Sequence, residues 1–392
     1  MSIAIRLRRV LFVAAAVLGL SPAVAGAQAF ETAARQAFMV DFQTGAVMYN
    51  KLGDELMPPS SMSKLMTAFM VFERLQAGTL HLTDQMGVSE KAWKTGGSKM
   101  FVHVGDRVSV EDLLRGVIIQ SGNDACVVLA EGLAGSEERF AEQMTARARE
   151  LGMTKSVFKN ATGLPQDGHL MTPRELAFLA REIIVRFPQF YRFYSEISFT
   201  YNNIKQGNRN PLLYKNTGAD GMKTGHTDAA GYGLTASAKR DGRRLILVVN
   251  GLKSMNERSR ESERLLDWGF NEFDTYKIFS PGQVVDNAGV WLGVQPTVPL
   301  TVSKDAFVTL SKRDRPNMKV TAVWDNPIPA PIQAGQPVGR LLIAAPEMDR
   351  LEQPKQIEVP LVAVAPVERL GFAGRIQATL LSLVGLNKVA TP

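Results

Sequence analysis

The first strong pattern along the chain is an unbroken apolar run over residues 10–20. It lies behind Arg6, Arg8 and Arg9 and ahead of the small residues Ala25-Gly26-Ala27. A basic head, a short apolar stretch and a small-residue cut site make up a secretory signal, and the run is shorter than the ~20 residues a membrane span needs. Residues 1–27 are therefore expected to be cleaved, with Ala27-Gln28-Ala29 as an alternative cut. Alternating residues over 37–42 and 46–50, on either side of Gln43-Thr44-Gly45, predict a β-hairpin. From Ser61 to Leu75 the residues Leu65, Met66, Phe69, Met70 and Phe72 fall on nearly every face, which predicts a central helix buried all round. Further helices are predicted over 110–120 behind the cap Ser109, and from Ser136 to a stop at Gly152. Another opens at Thr172-Pro173-Arg174-Glu175, a capping box with proline at the first helical position, and runs to about Arg186.

The pattern then changes. Residues 231–238 and 244–251 read as strands joined at Asp241-Gly242, and 257–270 as a helix, so the first part of the chain is expected to be α+β, with helices packed on a sheet. From about Pro281 helical signals stop and short β-type runs follow at 300–302, 307–310, 319–323, 340–343 and 357–364. The sequence Asn326-Pro327-Ile328-Pro329-Ala330-Pro331 has too many prolines for a central strand. A small all-β domain is expected here. Over 367–388, Leu370, Ala373, Ile376, Leu380, Leu381 and Val384 recur at spacings of three and four, predicting a terminal amphipathic helix that can lie on a membrane surface. The expected division is 1–27 signal, 28–275 α+β catalytic domain, 276–366 β-rich domain and 367–392 anchor.

Composition narrows the classes. A chain of 392 residues with 45% apolar side chains has room for two or three domains. The formal charge of +7 falls to +4 once the three arginines of residues 1–27 are set aside, and no long basic run remains, so nucleic acid is not an expected partner. The lone Cys126 cannot form an intrachain disulfide and reads as a small buried apolar group. Four histidines without a His-Glu-x-x-His or clustered Cys/His pattern give no reason to expect a metal or other cofactor.

Candidate chemistry starts at Ser61-Met62-Ser63-Lys64. A serine and a lysine three residues apart on a helix share a face, so the amine can take the hydroxyl proton. The same spacing recurs at Ser156-Val157-Phe158-Lys159. Burial distinguishes the two, because a lysine becomes a base only where desolvation or a neighbouring cation lowers its pKa. Lys64 opens the most apolar helix, whereas Ser156 and Lys159 lie in a polar stretch beyond a helix stop. Ser61 also stands at a helix N-terminus, which favours a developing oxyanion. Downstream come Ser121-Gly122-Asn123, at a turn between helices, and Lys223-Thr224-Gly225, directly before a strand. Each short motif has a decoy, Ser254-Met255-Asn256 and Lys94-Thr95-Gly96. The ordered triple is specific where its members are not.

This triple is the signature of penicillin-binding proteins and class A β-lactamases. The chain closely resembles the D-alanyl-D-alanine carboxypeptidases among the low-molecular-mass penicillin-binding proteins, from about Phe38 into the C-terminal domain. The likeness extends to Gly97-Ser98-Lys99-Met100-Phe101, to the run from Gln120 through Cys126, to Asn208-Arg209-Asn210, to His226-Thr227-Asp228 after the lysine motif, and to Asp267-Trp268-Gly269-Phe270. Ser63 stands where the family usually has threonine, and the hydroxyl is retained. The resemblance implies a serine β-lactamase/transpeptidase-like catalytic domain, a β-rich second domain and a C-terminal membrane anchor. It also implies export to the periplasm, with peripheral attachment to the outer face of the inner membrane.

For the site, the resemblance implies Ser61 as nucleophile, Lys64 as its base and Ser121 as proton relay to the departing D-alanine amine. Asn123 would position the peptide or Lys64, and the backbone N–H groups of Ser61 and His226 would form the oxyanion hole. Lys223, Thr224 and Gly225 would face the substrate carboxylate, with a guanidinium fork from Arg258 first and Arg209 second. Arg260 is expected to face solvent, and Asp124, Asp167 and Asp228 to be structural. The implied partners are peptidoglycan stem peptides, β-lactams that mimic their D-Ala-D-Ala end, and a membrane surface. A class A β-lactamase needs a glutamate to hydrolyse its acyl-enzyme. Asn160-Ala161-Thr162-Gly163-Leu164-Pro165 stands where that loop is expected and carries no acid. A cross-link-cutting endopeptidase uses the same triple, and the extra β domain and anchor favour the carboxypeptidase. A non-catalytic wall-binding protein would be expected to have lost Ser61, Lys64 or Lys223.

Overall fold

The computed structural model describes residues 30–383, so the signal sequence and the helix positions from Val384 onward lie outside the described residues. A five-stranded antiparallel sheet organises the first domain, in the order Val47–Lys51, Gln36–Asp41, Arg243–Leu252, Gly231–Arg240, Ala219–Thr227. The N-terminal hairpin thus pairs with strands from two hundred residues downstream. The Asp241-Gly242 connection has positive φ at both residues, as a two-residue hairpin turn demands. Both faces of the central strands are covered, since successive side chains point to opposite sides. Phe38, Val40, Ile246 and Val248 join the main core with the helices. On the other face, Gly269 of the helix Met255–Glu272 lets that helix approach Met39 and Leu245 so closely that a Cβ there would lie within 2.7 Å of Met39.

The predicted central helix is Lys64–Gln76, preceded by a single 3-10 turn over Ser60–Ser63, and every residue from Lys64 to Phe72 is buried. Ser109, Ser136, Thr172 and Ser254 each cap a helix by accepting from the backbone N–H three residues on. The box at Thr172 is only half formed. Thr172 caps Glu175, but the Glu175 carboxylate turns away to accept from Lys155 N and Ser156 Oγ.

The second domain begins sooner than the sequence pattern suggests. Strand Phe273–Phe279 follows the helix Met255–Glu272 without a break, straddles residue 275 and pairs with Ala306–Ser311. Its apolar residues contact both domains' chains, so no clean alternation marks it. A six-stranded sheet follows in the order Lys319–Trp324, Pro337–Ala344, Ile357–Ala363, Thr297–Val302, Asp286–Trp291, Ile328–Pro329. The proline-rich Ile328–Pro329 takes the edge, where a missing donor is tolerated. The fully buried Asp41 fastens this domain to the first: Arg243 Nε (3.0 Å) and Thr275 Oγ1 (2.6 Å) donate to it, and Thr44 meets Thr309 at 2.6 Å. The terminal helix is described as Phe372–Leu383, starting five residues later than predicted because Val367 and Arg369 are held in β-bridges to Ile332 and Gly293. Phe372, Ile376 and Leu380 on it are exposed. Among the described residues no helix is long and apolar enough to cross a membrane.

Candidate active site

Pro58 and Pro59 lead into the turn Ser60–Ser63, which places Ser61 half-exposed at the mouth of the helix while Ser60 and Ser63 are buried. Ser63 Oγ is occupied, donating to Ser60 O at 3.0 Å. Lys64, only 1% exposed, donates from Nζ to Ser61 Oγ at 2.8 Å, to Asn123 Oδ1 at 2.7 Å and to Thr162 O. Burial pulls the Lys64 pKa down to about 8, and the Arg209 charge adds to that fall. Cys126, Asp124 and Glu137 act in the opposite direction.

Ser121 arrives from another helix. Val110–Arg115 widens into a π-type turn over Gly116–Gln120 and ends at Ser121, which is buried and left-handed (φ 64°). Asn123 then opens the helix Asn123–Ala134. Its Nδ2 donates to Gly96 O at 2.7 Å, which fixes the amide with Oδ1 facing Lys64. Gly97 permits this approach: its φ is +76°, and a Cβ there would sit 2.8 Å from Asn123 Nδ2. Asp124 is fully buried, accepting from the backbone N–H of Met100, Phe101 and Ala125, each at 2.9 Å, and so ties the Gly97–Phe101 loop to the helix.

Strand Ala219–Thr227, at the edge of the sheet, carries Lys223, Thr224, Gly225 and His226. A Cβ on Gly225 would meet Pro59 O at 3.0 Å and Ser60 Cβ at 3.1 Å, so the strand lies directly against the nucleophile turn. Lys223 is 2% exposed and donates to Thr224 O at 3.1 Å. Burial drives its pKa well below the ordinary lysine value, with the charges of Lys64, Arg209 and Arg258 acting in the same sense. His226 is exposed and stacks on Tyr232 at 3.9 Å.

The two arginines come from separate elements, Arg258 from the last helix of the domain and Arg209 from the segment before the turn Pro211–Tyr214. Arg258, buried on the helix Met255–Glu272, lies 3.5 Å from both Gly225 O and Gly233 O, with its guanidinium over the Tyr232 ring. Burial lowers its pKa to about 10, and its Nε is enclosed without a protein acceptor. Arg209 is exposed and donates to Ser98 Oγ at 2.5 Å, while Arg260 faces solvent. Within the described residues, the hydrogen bonds of Lys64, Lys223, Arg209 and Arg258 end on neutral oxygens. Two guanidinium groups and two amines of lowered pKa, none of them hydrogen-bonded to a carboxylate among the described residues, make a site suited to an anion.

The second Ser-x-x-Lys is built differently. Residues 156–159 are not helical; Ser156 is fully buried on Glu175, and Lys159 is exposed. Although it lies in a polar stretch, Ser156 is held inside by the turned-away Glu175. Cys126 is buried, and desolvation raises its thiol to about 12. What sequence reasoning missed is Thr162, whose carbonyl reaches Lys64. A backbone acceptor leaves no side-chain signature, and the only hint was the position of the Asn160 to Pro165 run.

Comparison with known proteins finds relatives over most of the chain. Residues 23–254 match the family model described as D-alanyl-D-alanine carboxypeptidase, and residues 273–369 match the penicillin-binding protein 5 C-terminal domain. The D-alanyl-D-alanine carboxypeptidase DacC of Escherichia coli is 40% identical over 352 residues, covering 88% of this chain and 86% of that one. Penicillin-binding protein 5 of Haemophilus influenzae superposes with a TM-score of 0.75 at 35% identity, over 88% of this chain and 100% of that one. Penicillin-binding protein D2 of Listeria monocytogenes, solved in an ampicillin-bound form, superposes with a TM-score of 0.57 at 30% identity, over 62% of this chain and 98% of that one.

Proposed function

The chain belongs to the D-alanyl-D-alanine carboxypeptidase family, and from that premise we propose that Ser61 is its acylable nucleophile and Lys64 the base that activates it. The enzyme is a serine-type D-Ala-D-Ala carboxypeptidase and a β-lactam target. The observation that carries the site assignment is the Lys64 amine, buried and 2.8 Å from Ser61 Oγ. A neutral amine has two protons and one lone pair. With the protons given to Asn123 Oδ1 and Thr162 O, the lone pair is left for the Ser61 hydroxyl.

Ser61 Oγ attacks the carbonyl of the penultimate D-alanine of a stem pentapeptide as Lys64 takes its proton. The backbone N–H groups of Ser61 and His226 receive the oxyanion. Ser121 relays a proton to the departing D-alanine amine, and Asn123 holds Lys64 and the peptide. Lys223, Thr224 and Gly225 receive the terminal carboxylate, with Arg258 behind them and Arg209 at the rim. Water then releases the tetrapeptide. A β-lactam takes the same route and stays on Ser61, because the 160–165 loop supplies no carboxylate to activate water.

With the boundaries moved to where the strands and the helix begin, the working division is 28–272 for catalysis, 273–371 for the β-rich domain and a membrane anchor from Phe372 onward, after removal of 1–27 on export to the periplasm. Exposed Phe372, Ile376 and Leu380 support peripheral attachment to the outer face of the inner membrane. Release of free D-alanine from a pentapeptide, with none from a cross-linked muropeptide, is the expected result; cleavage of the cross-link instead would make the enzyme an endopeptidase. Deleting residues 367–392 should move the protein from the membrane to the soluble fraction, and persistent membrane association would refute the anchor.

A further inference from the structure

Lys64 is held in part by a main-chain atom, Thr162 O, so something must hold the main chain. The side chain of Asn160, itself buried, does so. Its Oδ1 accepts from Thr162 N (3.2 Å), Thr162 Oγ1 (2.9 Å) and Gly163 N (2.8 Å). Its Nδ2 donates to Leu164 O (3.0 Å) and Gln166 Oε1 (3.1 Å). One amide therefore closes the 160–164 turn from inside. The turn presses on the nucleophile helix at three successive points. Ala161 O accepts from Thr67 Oγ1 at 2.7 Å, and Thr162 O accepts from Lys64 Nζ. Gly163, at φ +79°, lies so near the nucleophile turn that a Cβ would come within 2.1 Å of Ser60 O.

We propose that Asn160 is a positioning residue for acylation: by shaping the 160–164 turn it holds Thr162 O on Lys64 Nζ and keeps water off that amine. This rests on the reading of Ser61 and Lys64 as nucleophile and base. Two consequences follow from the geometry. Without the Asn160 amide, Thr162 O no longer fixes one amine proton, and the lone pair loses its aim at Ser61. The loosened turn also admits water, and burial is the main reason Lys64 titrates low. The other charged or titratable groups facing Lys64 are Cys126 and Asp124 on the helix Asn123–Ala134, Glu137 on Glu137–Glu150, Arg209, Lys223 and His169. Of these, Glu137 accepts from Ala161 N of the turn at 3.2 Å and His169 Nδ1 accepts from Lys159 N beside it at 3.3 Å.

The test is acylation of the full-length protein by a chromogenic cephalosporin, followed against pH. In Asn160→Ala the second-order acylation constant at neutral pH should fall about 10- to 100-fold, up to the low end of the roughly 10²- to 10⁴-fold that general-base catalysis contributes, because the base is misplaced and not removed. The limb on which the rate rises with pH should move upward, toward the value of a hydrated lysine. Asn160→Asp keeps an oxygen for Thr162 and Gly163 and should recover most of the high-pH rate. If Asn160→Ala does not fold, Thr162→Val, which deletes the hydroxyl that donates to Asn160 Oδ1 and accepts from Leu164 N, should shift the limb in the same direction by less. A folded Asn160→Ala with the wild-type rate and limb overturns the proposal, as does a rate loss with an unmoved limb. The Ser61→Ala control separates the two readings: an adduct surviving there overturns both, whereas its loss alongside an unaffected Asn160→Ala overturns this one alone.

Discussion

The chain carries Ser-x-x-Lys twice, and the two copies differ in everything except spacing. At Ser61 the serine is half-exposed and the lysine buried; at Ser156 the serine is buried and the lysine exposed. The first pair sits on a helical turn, so the two side chains converge. The second lies in an irregular segment in which Val157 bridges Leu170, and its side chains go to opposite environments. Spacing brings the hydroxyl and the amine within reach, and burial makes the unprotonated amine available near neutral pH. Only the first copy has both.

Breaking the nucleophile gives the largest contrast. Ser61→Ala should abolish the penicillin adduct in intact-mass spectrometry, whereas Ser156→Ala should keep one adduct at the wild-type rate. Next comes the base. Lys64→Met should slow acylation by about 10² to 10⁴, measured by stopped-flow with a chromogenic cephalosporin. The same change also removes a buried, desolvated cation, so the melting temperature should hold or rise. Lys159→Met should leave the rate within about twofold, since its amine lies in solvent.

The pH profile sharpens the comparison without a mutation. Lys64 must be neutral to act, so the acylation constant should rise with pH up to about 8 and level off above it. A limb at the ordinary lysine value would mean that the amine is hydrated. The same shift works on stability. Lys64 binds its proton less readily folded than unfolded, so its contribution should improve as pH rises from about 8 toward 10.5. Urea melts at pH 7.5 and 9.5 of the wild type and Lys64→Met isolate that contribution. The smallest effect belongs to the second copy: Ser156→Ala leaves a Glu175 oxygen without its hydroxyl donor and should cost about 1–3 kcal/mol in urea melts, with acylation untouched.

Much of this was legible in the sequence because it is local. Caps at Ser109, Ser136 and Thr172, the turn at Asp241-Gly242 and the all-apolar helix after Ser61 are each decided within a few residues. The strand Phe273–Phe279 was not, since its partner Ala306–Ser311 is thirty residues away and it starts with no break after a helix. Nor was the fate of Glu175, whose box pattern is correct for a cap but whose carboxylate is taken by Ser156 from another segment.

The sequence by itself determined the order of the three motifs, the α+β character followed by a β-rich end, and the identity of the residues that gather at the cleft. The apolar helix already pointed to Lys64 as the buried amine, and only the tertiary structure decided what surrounds and holds it. That amine's state depends on Asn123, Thr162 and the charges of Arg209, Asp124 and Glu137, which come from four separate places in the chain. Desolvation belongs to the volume around an atom and not to its neighbours in sequence, so four letters could specify the reach between Ser61 and Lys64 but not the pKa that makes it useful.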